Sequence, residues 1–353
     1  MNDSIGPASC RGLSDTVPFQ PAWITGSIRT HAGRIPVIST RLTRRDRLGA
    51  IRVCLGIGRM RYAVLPGLYA AGRPGPSSPV LVTANYKLTF DRLRVRLDGI
   101  DAWILVLDTQ GINVWCAAGK GTFGTEELVR KIQDVGLDRV VGHRILVLPQ
   151  LGAPGVAAHD VRRETGFRVE YGPVDAKDIP RYLADGCRVR PGMRRVRFPL
   201  KDRLALIPLE LIQAFKFVPI FLIWVIALRF IRDHRISGEI IKDFIPYLTA
   251  FLGGSVLFQI LLPWLPFRSF LLNGWLLGMA VIPAVSLAAG VERSFLPSLL
   301  LMLPPVTAYI AFNFTGATTY TSLSGVRKEL ARGLPALILS VVAGMVLQIV
   351  MIR

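Results

Sequence analysis

Two patterns of apolar positions divide the chain. From about residue 210 onward they run almost unbroken. Phe244–Leu265, Phe270–Gly290, Phe295–Phe314 and Leu334–Ile352 contain no Asp, Glu, Lys, Arg or His, and each is close to the roughly 20 residues that cross a bilayer core. A fifth, Leu211–Leu228, holds Lys216 with Glu210 at its edge, and its central run Phe217–Leu228 is uncharged. Helices of a soluble core alternate apolar and polar faces, and these do not. The pattern therefore predicts an all-α transmembrane domain of five helices over residues 206–353.

Upstream, the apolar runs are short. Pro79–Thr83, Ala102–Leu107, Arg144–Leu148 and Phe167–Tyr171 read as buried strands. Helical patterns lie between and after them. Thr125 caps one, with Glu126 and Glu127 in its first turn and Leu128, Ile132 and Val135 on one face; Gly155–Thr165 and Ala176–Ala184 are two more. Strand and helix in alternation predict an α/β, Rossmann-like domain over residues 46–190 with a mainly parallel sheet. Residues 1–45 are expected to be a loose leader, and 191–205 a basic juxtamembrane linker. Ligands of such sheets bind where the loops leave the carboxyl ends of the strands, so the loop after Leu107 is the place to look.

Charge sharpens the division. Of 353 residues, 51% are apolar, mean hydropathy is +0.42 and the formal charge is +19. Residues 1–203 carry 32 Lys and Arg against 18 Asp and Glu; the remainder carry 11 against 6. No zinc-finger spacing, RRM-like aromatic signature or long basic helix accompanies this excess, so nucleic acid is not the expected partner. Seven of the cations fall in Arg188–Arg203, directly before the first span, where contact with anionic lipid is the simpler cause. With Arg268, Arg327, Lys328 and Arg332, one side of the five spans collects eleven Lys and Arg. The other collects six: Arg229, Arg232, Arg235, Lys242, Arg293 and Arg353. The positive side, with the α/β domain, is expected in the cytoplasm and the chain in the cytoplasmic (inner) membrane. Met1–Ser27 has no apolar core of signal-peptide type. Within the spans, Lys216 is expected to snorkel rather than mark a polar pathway. Gly274 and Gly278 form a GxxxG step suited to close helix packing.

The loop after Leu107 reads Asp108-Thr-Gln-Gly-Ile-Asn-Val-Trp-Cys-Ala-Ala-Gly-Lys120-Gly-Thr. It is not a phosphate-binding P-loop. Val114 stands where the first glycine of that motif belongs, and Gly121 where Ser or Thr should follow the lysine. Cys116 is the distinctive residue. The cysteines at 10, 54, 116 and 187 contain no Cys-x-x-Cys and cannot supply a zinc or iron–sulfur cluster. Asn113 can cap a helix whose first turn holds Val114, Trp115 and Cys116, with Lys120 one turn on. A thiol there is biased toward thiolate, the form that ligates metal or attacks carbon. Ala117, Ala118 and Gly119 leave room for a flat group. From the residues alone, a structural cysteine and a nucleophile or metal ligand both stay open.

Asn113-Val-Trp-Cys-Ala-Ala-Gly-Lys120 resembles the cap-helix signature of the mercury-methylating corrinoid proteins, the HgcA family. Pro66-Gly-Leu-Tyr-Ala70, Ser78-Pro-Val-Leu-Val-Thr-Ala-Asn-Tyr-Lys87, Leu148-Pro-Gln-Leu-Gly-Ala-Pro-Gly-Val156, Tyr171-Gly-Pro-Val174 and Asp178-Ile-Pro180 extend the likeness over about residues 50–185. They also resemble the corrinoid iron–sulfur protein of the acetyl-CoA pathway. That relative lacks a tail of spans and has a cluster-binding cysteine motif absent here, so both differences favour the mercury-methylating branch.

The resemblance implies a membrane-anchored methyltransferase that binds a base-off corrinoid of cobalamin type. Cys116 would be the lower cobalt ligand. None of His31, His143, His159 or His234 lies in the Asp-x-His-x-x-Gly spacing of the usual histidine ligand. Asn113 would fix the cap helix from Val114 to Lys120, and Trp115 would pack it on the sheet. Ala117, Ala118 and Gly119 would admit the ring, Thr83 and Asn85 would lie near its lower face, and Gln150, Gly152, Ala153 and Gly155 would contact it closely. Hg(II) is an electrophile that must receive methyl with its bonding electrons, which a soft thiolate donor favours. The implied partners are a ferredoxin-like protein with two [4Fe–4S] clusters as electron donor, and a methyl-donor protein linked to methyl-folate. A corrinoid methyl carrier with a non-mercury acceptor, or a transporter or sensor with an α/β regulatory domain, are the alternatives.

Overall fold

The computed structural model describes residues 21–234, 238–317 and 323–352. Cys10, Arg235, Arg353 and the first part of the expected leader lie outside these. The described chain divides into two units. The first ends at residue 195, apart from residues 54–57, which group with the second.

The first unit is built on a seven-stranded mixed sheet. Its strands are β1 (Ile24–Thr30), β2 (Gly33–Ile38), β3 (Gly67–Ala71), β4 (Val80–Ala84), β5 (Ala102–Leu107), β6 (Ile145–Leu148) and β7 (Arg168–Tyr171), in the order β1-β2-β3-β5-β4-β6-β7. The pairs β5–β4, β4–β6 and β6–β7 are parallel, so the carboxyl ends of four strands open on one edge. β3 runs against β5, and β1 against β2.

β2 and β3 are parallel as well, so the sheet is mainly parallel as expected, with antiparallel pairs at β1–β2 and β3–β5, and residues 24–38 are a hairpin rather than leader. Trp23 and Ile38 anchor that hairpin in the core, while the outward side chains of β1 are polar or small. A stretch of Gly, Ser and Thr can form an edge strand when its partner and its ends are held. β3, Gly-Leu-Tyr-Ala-Ala, has no β-branched residue to announce it.

β5 is buried along its whole length, and its two-residue period feeds two cores. Trp103, Leu105 and Leu107 meet α3 (Val114–Lys120), α4 (Thr125–Asp134) and α5 (Ala158–Thr165). Ala102, Ile104 and Val106 meet α2 (Lys87–Arg94) and α6 (Ile179–Ala184). At α4 the cap is Gly124, one residue before the expected Thr125. The Thr125 hydroxyl instead accepts the Ala157 N–H at 2.8 Å, and Val135 closes the helix.

A buried ionic cluster joins α1 (Arg44–Cys54) to α2. Arg94, 0% exposed, donates to Asp91 and Asp46 at 2.7 and 2.9 Å and to the Ser39 and Arg41 carbonyls; Lys87 reaches both carboxylates at 2.6 Å. Two cations and two carboxylates cancel, which is what makes burial of charge tolerable. Burial pushes the Asp46 carboxyl up, but the Lys87 and Thr43 hydrogen bonds more than offset it and hold it at about 2.

The second unit is helical: α7 (Leu200–Leu204), α8 (Ile207–Phe215), α9 (Val218–Asp233), α10 (Ile240–Leu252), α11 (Phe258–Leu261), α12 (Phe270–Ala288), α13 (Leu296–Asn313) and α14 (Leu323–Ile352). Four stretches are long and apolar enough to cross a membrane: Ile240–Trp264, Phe270–Ala288, Arg293–Asn313 and Gly325–Ile352. A fifth arises only if Leu200–Phe215 and Val218–Asp233, bent by 45°, form one span. Lys216 is exposed at that bend. A Cβ on Gly274 or Gly278 would stand 2.7 Å from the Ala308 or Pro304 Cα, so the GxxxG step brings α12 against α13 within this chain.

Candidate functional site

The loops at the carboxyl edge gather the residues singled out above. Asn113 caps α3, its side chain accepting the Cys116 N–H at 2.9 Å. A seven-residue helix then sets the faces by its 3.6-residue period. Val114, Ala117 and Ala118 are buried against the sheet, and Cys116 is half-buried. Trp115, Gly119 and Lys120 are on the open side.

This corrects two expected roles. Trp115 is 37% exposed, so Val114 and Ala117 pack the helix and the indole faces outward. Ala118 is small because a loop presses on it: a Cβ on Gly155 would meet Ala118 and the Phe123 carbonyl, and one on Gly152 would stand 2.5 Å from the Phe123 ring. The small residues of both segments therefore serve helix–loop packing first. The face beside Cys116 left free for a flat ligand is that of Trp115 and Gly119.

Asn85, expected near the lower face of a ring, holds the loop before α3. Standing just beyond β4, its Oδ1 accepts the Thr109 and Gly111 N–H groups at 3.1 and 2.9 Å, and its Nδ2 donates to Asp108 at 3.1 Å. The Thr109 hydroxyl lies 2.8 Å from Asn85 Oδ1 and 2.6 Å from the Ile112 carbonyl, and donates its one hydrogen between them. Asp108 accepts the Gln110 N–H at 3.0 Å, and Gln110 and Gly111 both have positive φ, 58° and 70°. Asn85 thus fixes the loop that launches α3. Asp108 with Gly111 was a local turn signal in the sequence; a clamp from 24 to 26 residues upstream was not. Thr83, buried in β4, shares the face of Leu81 by the strand's period and so lies on the α2 and α6 side, away from α3.

Gln150 and Gly152 form a short turn packed on α3, followed by half-buried Ala153. Gln150 Oε1 is buried and has no hydrogen-bond partner among the described residues. A buried acceptor left open calls for a donor. A corrinoid carries amide N–H groups around its rim, and the Cys116 thiol, a group able to ligate cobalt, stands on α3, against which the Gln150 turn packs. On donor set and open acceptor, the residues present fit that group. Two open hollows of about 550 and 490 Å³ in this unit are lined by residues 168–171, Tyr182, Cys187, 189–192, Arg194 and Arg195, and neither includes Cys116. Cys54, Cys116 and Cys187 are free thiols, and no cluster of three metal-ligating side chains occurs among the described residues. Burial, with the Glu170 carboxylate, pushes the Cys187 thiol up, which disfavours its reactive form.

The edge, the launching loop and a thiol on a capped helix make up the candidate site of an α/β domain. Residues 58–183 match the family model described as CO dehydrogenase/acetyl-CoA synthase delta subunit. Similar proteins are the acetyl-CoA decarbonylase/synthase complex gamma subunits of Methanopyrus kandleri, 38% identical over 122 residues, and of Archaeoglobus fulgidus, 37% identical over 127. These matches cover 34% and 35% of this chain and 26% and 27% of the relatives, so the chain spans about a quarter of the length of the curated relatives it matches. The sheet unit is thereby related to proteins of the acetyl-CoA pathway. The match does not single out the mercury-methylating branch, and it leaves the helical unit and the β1–β2 hairpin uncovered.

Proposed function

We propose that the chain is a membrane-anchored, corrinoid-dependent methyl carrier. The observation that carries this reading is the Cys116 thiol on the Asn113-capped helix, beside the open acceptor of Gln150, inside the segment that matches the acetyl-CoA-pathway family. A bound corrinoid would supply a cobalt centre that accepts and gives up a methyl group. The chain's residues do the holding. Cys116 is the proposed lower cobalt ligand, Asn113 and Asn85 keep its helix in place, and Gln150 accepts a hydrogen bond from the rim of the group. The donor and acceptor of methyl would be other proteins of acetyl-CoA-type one-carbon chemistry, as the subunit names of the relatives suggest. With no cluster ligands of its own among the described residues, the carrier needs an external electron donor, for which a ferredoxin-like protein is proposed.

A second reading keeps the site and changes the acceptor to Hg(II). It is favoured by Cys116 together with four or five apolar helices that the matched segment does not include. α14 leaves Ile338, Leu339, Val342, Val346 and Val350 largely exposed; such a face is stable in lipid and not in water, which supports the membrane anchor.

The test is the visible spectrum of the detergent-purified chain reconstituted with cobalamin, wild type beside Cys116→Ala. Corrinoid bands that shift in the variant support the ligand. A protein that stays colourless overturns the reading. Product analysis with Hg(II) supplied as acceptor then separates the two acceptors.

A further inference from the structure

A surface on the sheet unit is unused by this site. On α1, Asp46 and Val53 point inward. At 100° per residue, Arg44, Leu48 and Ile51 centre the opposite face, with Arg47 on one flank and Arg45 and Arg52 on the other. Leu48 and Ile51 are 60% and 57% exposed, and Met60, between exposed Arg59 and Arg61, is 70% exposed. Among the described residues, none of these six arginines makes an ion pair. Apolar anchors ringed by unpaired cations fit either an anionic bilayer or an acidic protein. Composition favours the bilayer. Residues 44–61 contain no Ser, Thr, Asn, Gln, Tyr or Trp, so neutral hydrogen-bonding and aromatic side chains, typical of a specific protein interface, are missing. Arginine and aliphatic residues are enough for an interfacial helix, whose stems snorkel toward phosphate while the aliphatic groups enter the acyl boundary.

We propose that α1 and the Arg59–Arg61 turn form a docking surface for anionic phospholipid. The proposal rests on the reading that the helical unit is embedded in a membrane, because that tether keeps this weak surface at high effective concentration beside lipid.

The test is amide exchange over residues 44–61 of the full chain in nanodiscs of phosphatidylcholine alone or with phosphatidylglycerol. Slower exchange is expected in the anionic discs only. The triple variant Arg44→Gln, Arg45→Gln, Arg47→Gln lowers the docked-to-undocked ratio roughly a hundredfold and abolishes that protection, with exchange over residues 102–107 unchanged as the control for folding. Equal exchange in both discs overturns the proposal while leaving the membrane reading intact. Protection that appears only on adding an acidic ferredoxin overturns it in favour of a protein interface. A chain that enters neither disc removes the membrane reading and this proposal together.

Discussion

The two units place buried polarity differently, although each buries charge: Arg203 and Glu210 of the helical unit are 5% and 6% exposed, and Arg203 donates to the Gln259 and Ile260 carbonyls. In the sheet unit, Asp46, Lys87, Asp91 and Arg94 form a neutral cluster of full charges under a surface rich in arginine, and apolar side chains fill the space between sheet and helices. In the helical unit, buried Gln348 takes hydrogen bonds from Trp224 Nε1 and the Tyr247 hydroxyl at 2.9 and 3.1 Å, joining α14 to α9 and α10 through neutral groups, while the outer face of α14 is aliphatic. A charge cluster is supportable where water takes up any charge released by opening. On the proposed membrane reading, the aliphatic face of α14 would meet lipid, where a neutral amide is better tolerated than an unpaired charge.

The largest expected effect tests the charged side of that contrast. Arg94→Met leaves two buried carboxylates to share Lys87 alone, one negative charge uncompensated, and should cost about 3–5 kcal/mol, read as loss of amide protection across β4 and β5 in denaturant titrations of the full chain. A loss under about 1 kcal/mol would show the cluster to be hydrated and the contrast false. Acid comes next. Because the folded Asp46 carboxyl titrates at about 2 against an ordinary 3.8, its contribution, about 2 kcal/mol in all, is complete above about pH 5 and is lost progressively as the pH falls through 3.8 and then 2. Acid unfolding followed by near-ultraviolet dichroism should therefore begin in the sheet unit, and exchange within α12 and α13 should change later. Asn113→Ala removes a helix cap worth about 1 kcal/mol. It should speed exchange of the Cys116 amide and leave α4 alone, and uniform destabilisation would mean that α3 is held by packing instead. Smallest is Gln348→Leu, expected to cost about 0.6 kcal/mol in a bilayer, measured by unfolding in mixed micelles. A cost like that of Arg94→Met would erase the difference between the units.

The resemblance and the match converge on the same stretch of chain, and its local chemistry was legible. Asn113 as a cap is decided within a few positions, so the sequence displays it. What it concealed was which partner each small or polar residue serves. Gly155 and Ala118, both read as room for a ring, press on each other across 37 residues. The resemblance implied that Trp115 packs the helix on the sheet, and the helical period turned it outward.

By itself, the sequence determined where β4 to β7, the helices α3 to α6 and the long apolar stretches lie, because periodicity and turn chemistry are local. It also placed Cys116 in the first turn of a capped helix. The tertiary structure alone decided the antiparallel insertion of β3, the hairpin within the supposed leader, the clamp of Asn85 on the Asp108–Gly111 loop and the open acceptor of Gln150. Each depends on groups far apart in the chain meeting in space, and the free energy of such a meeting is not written at either residue alone.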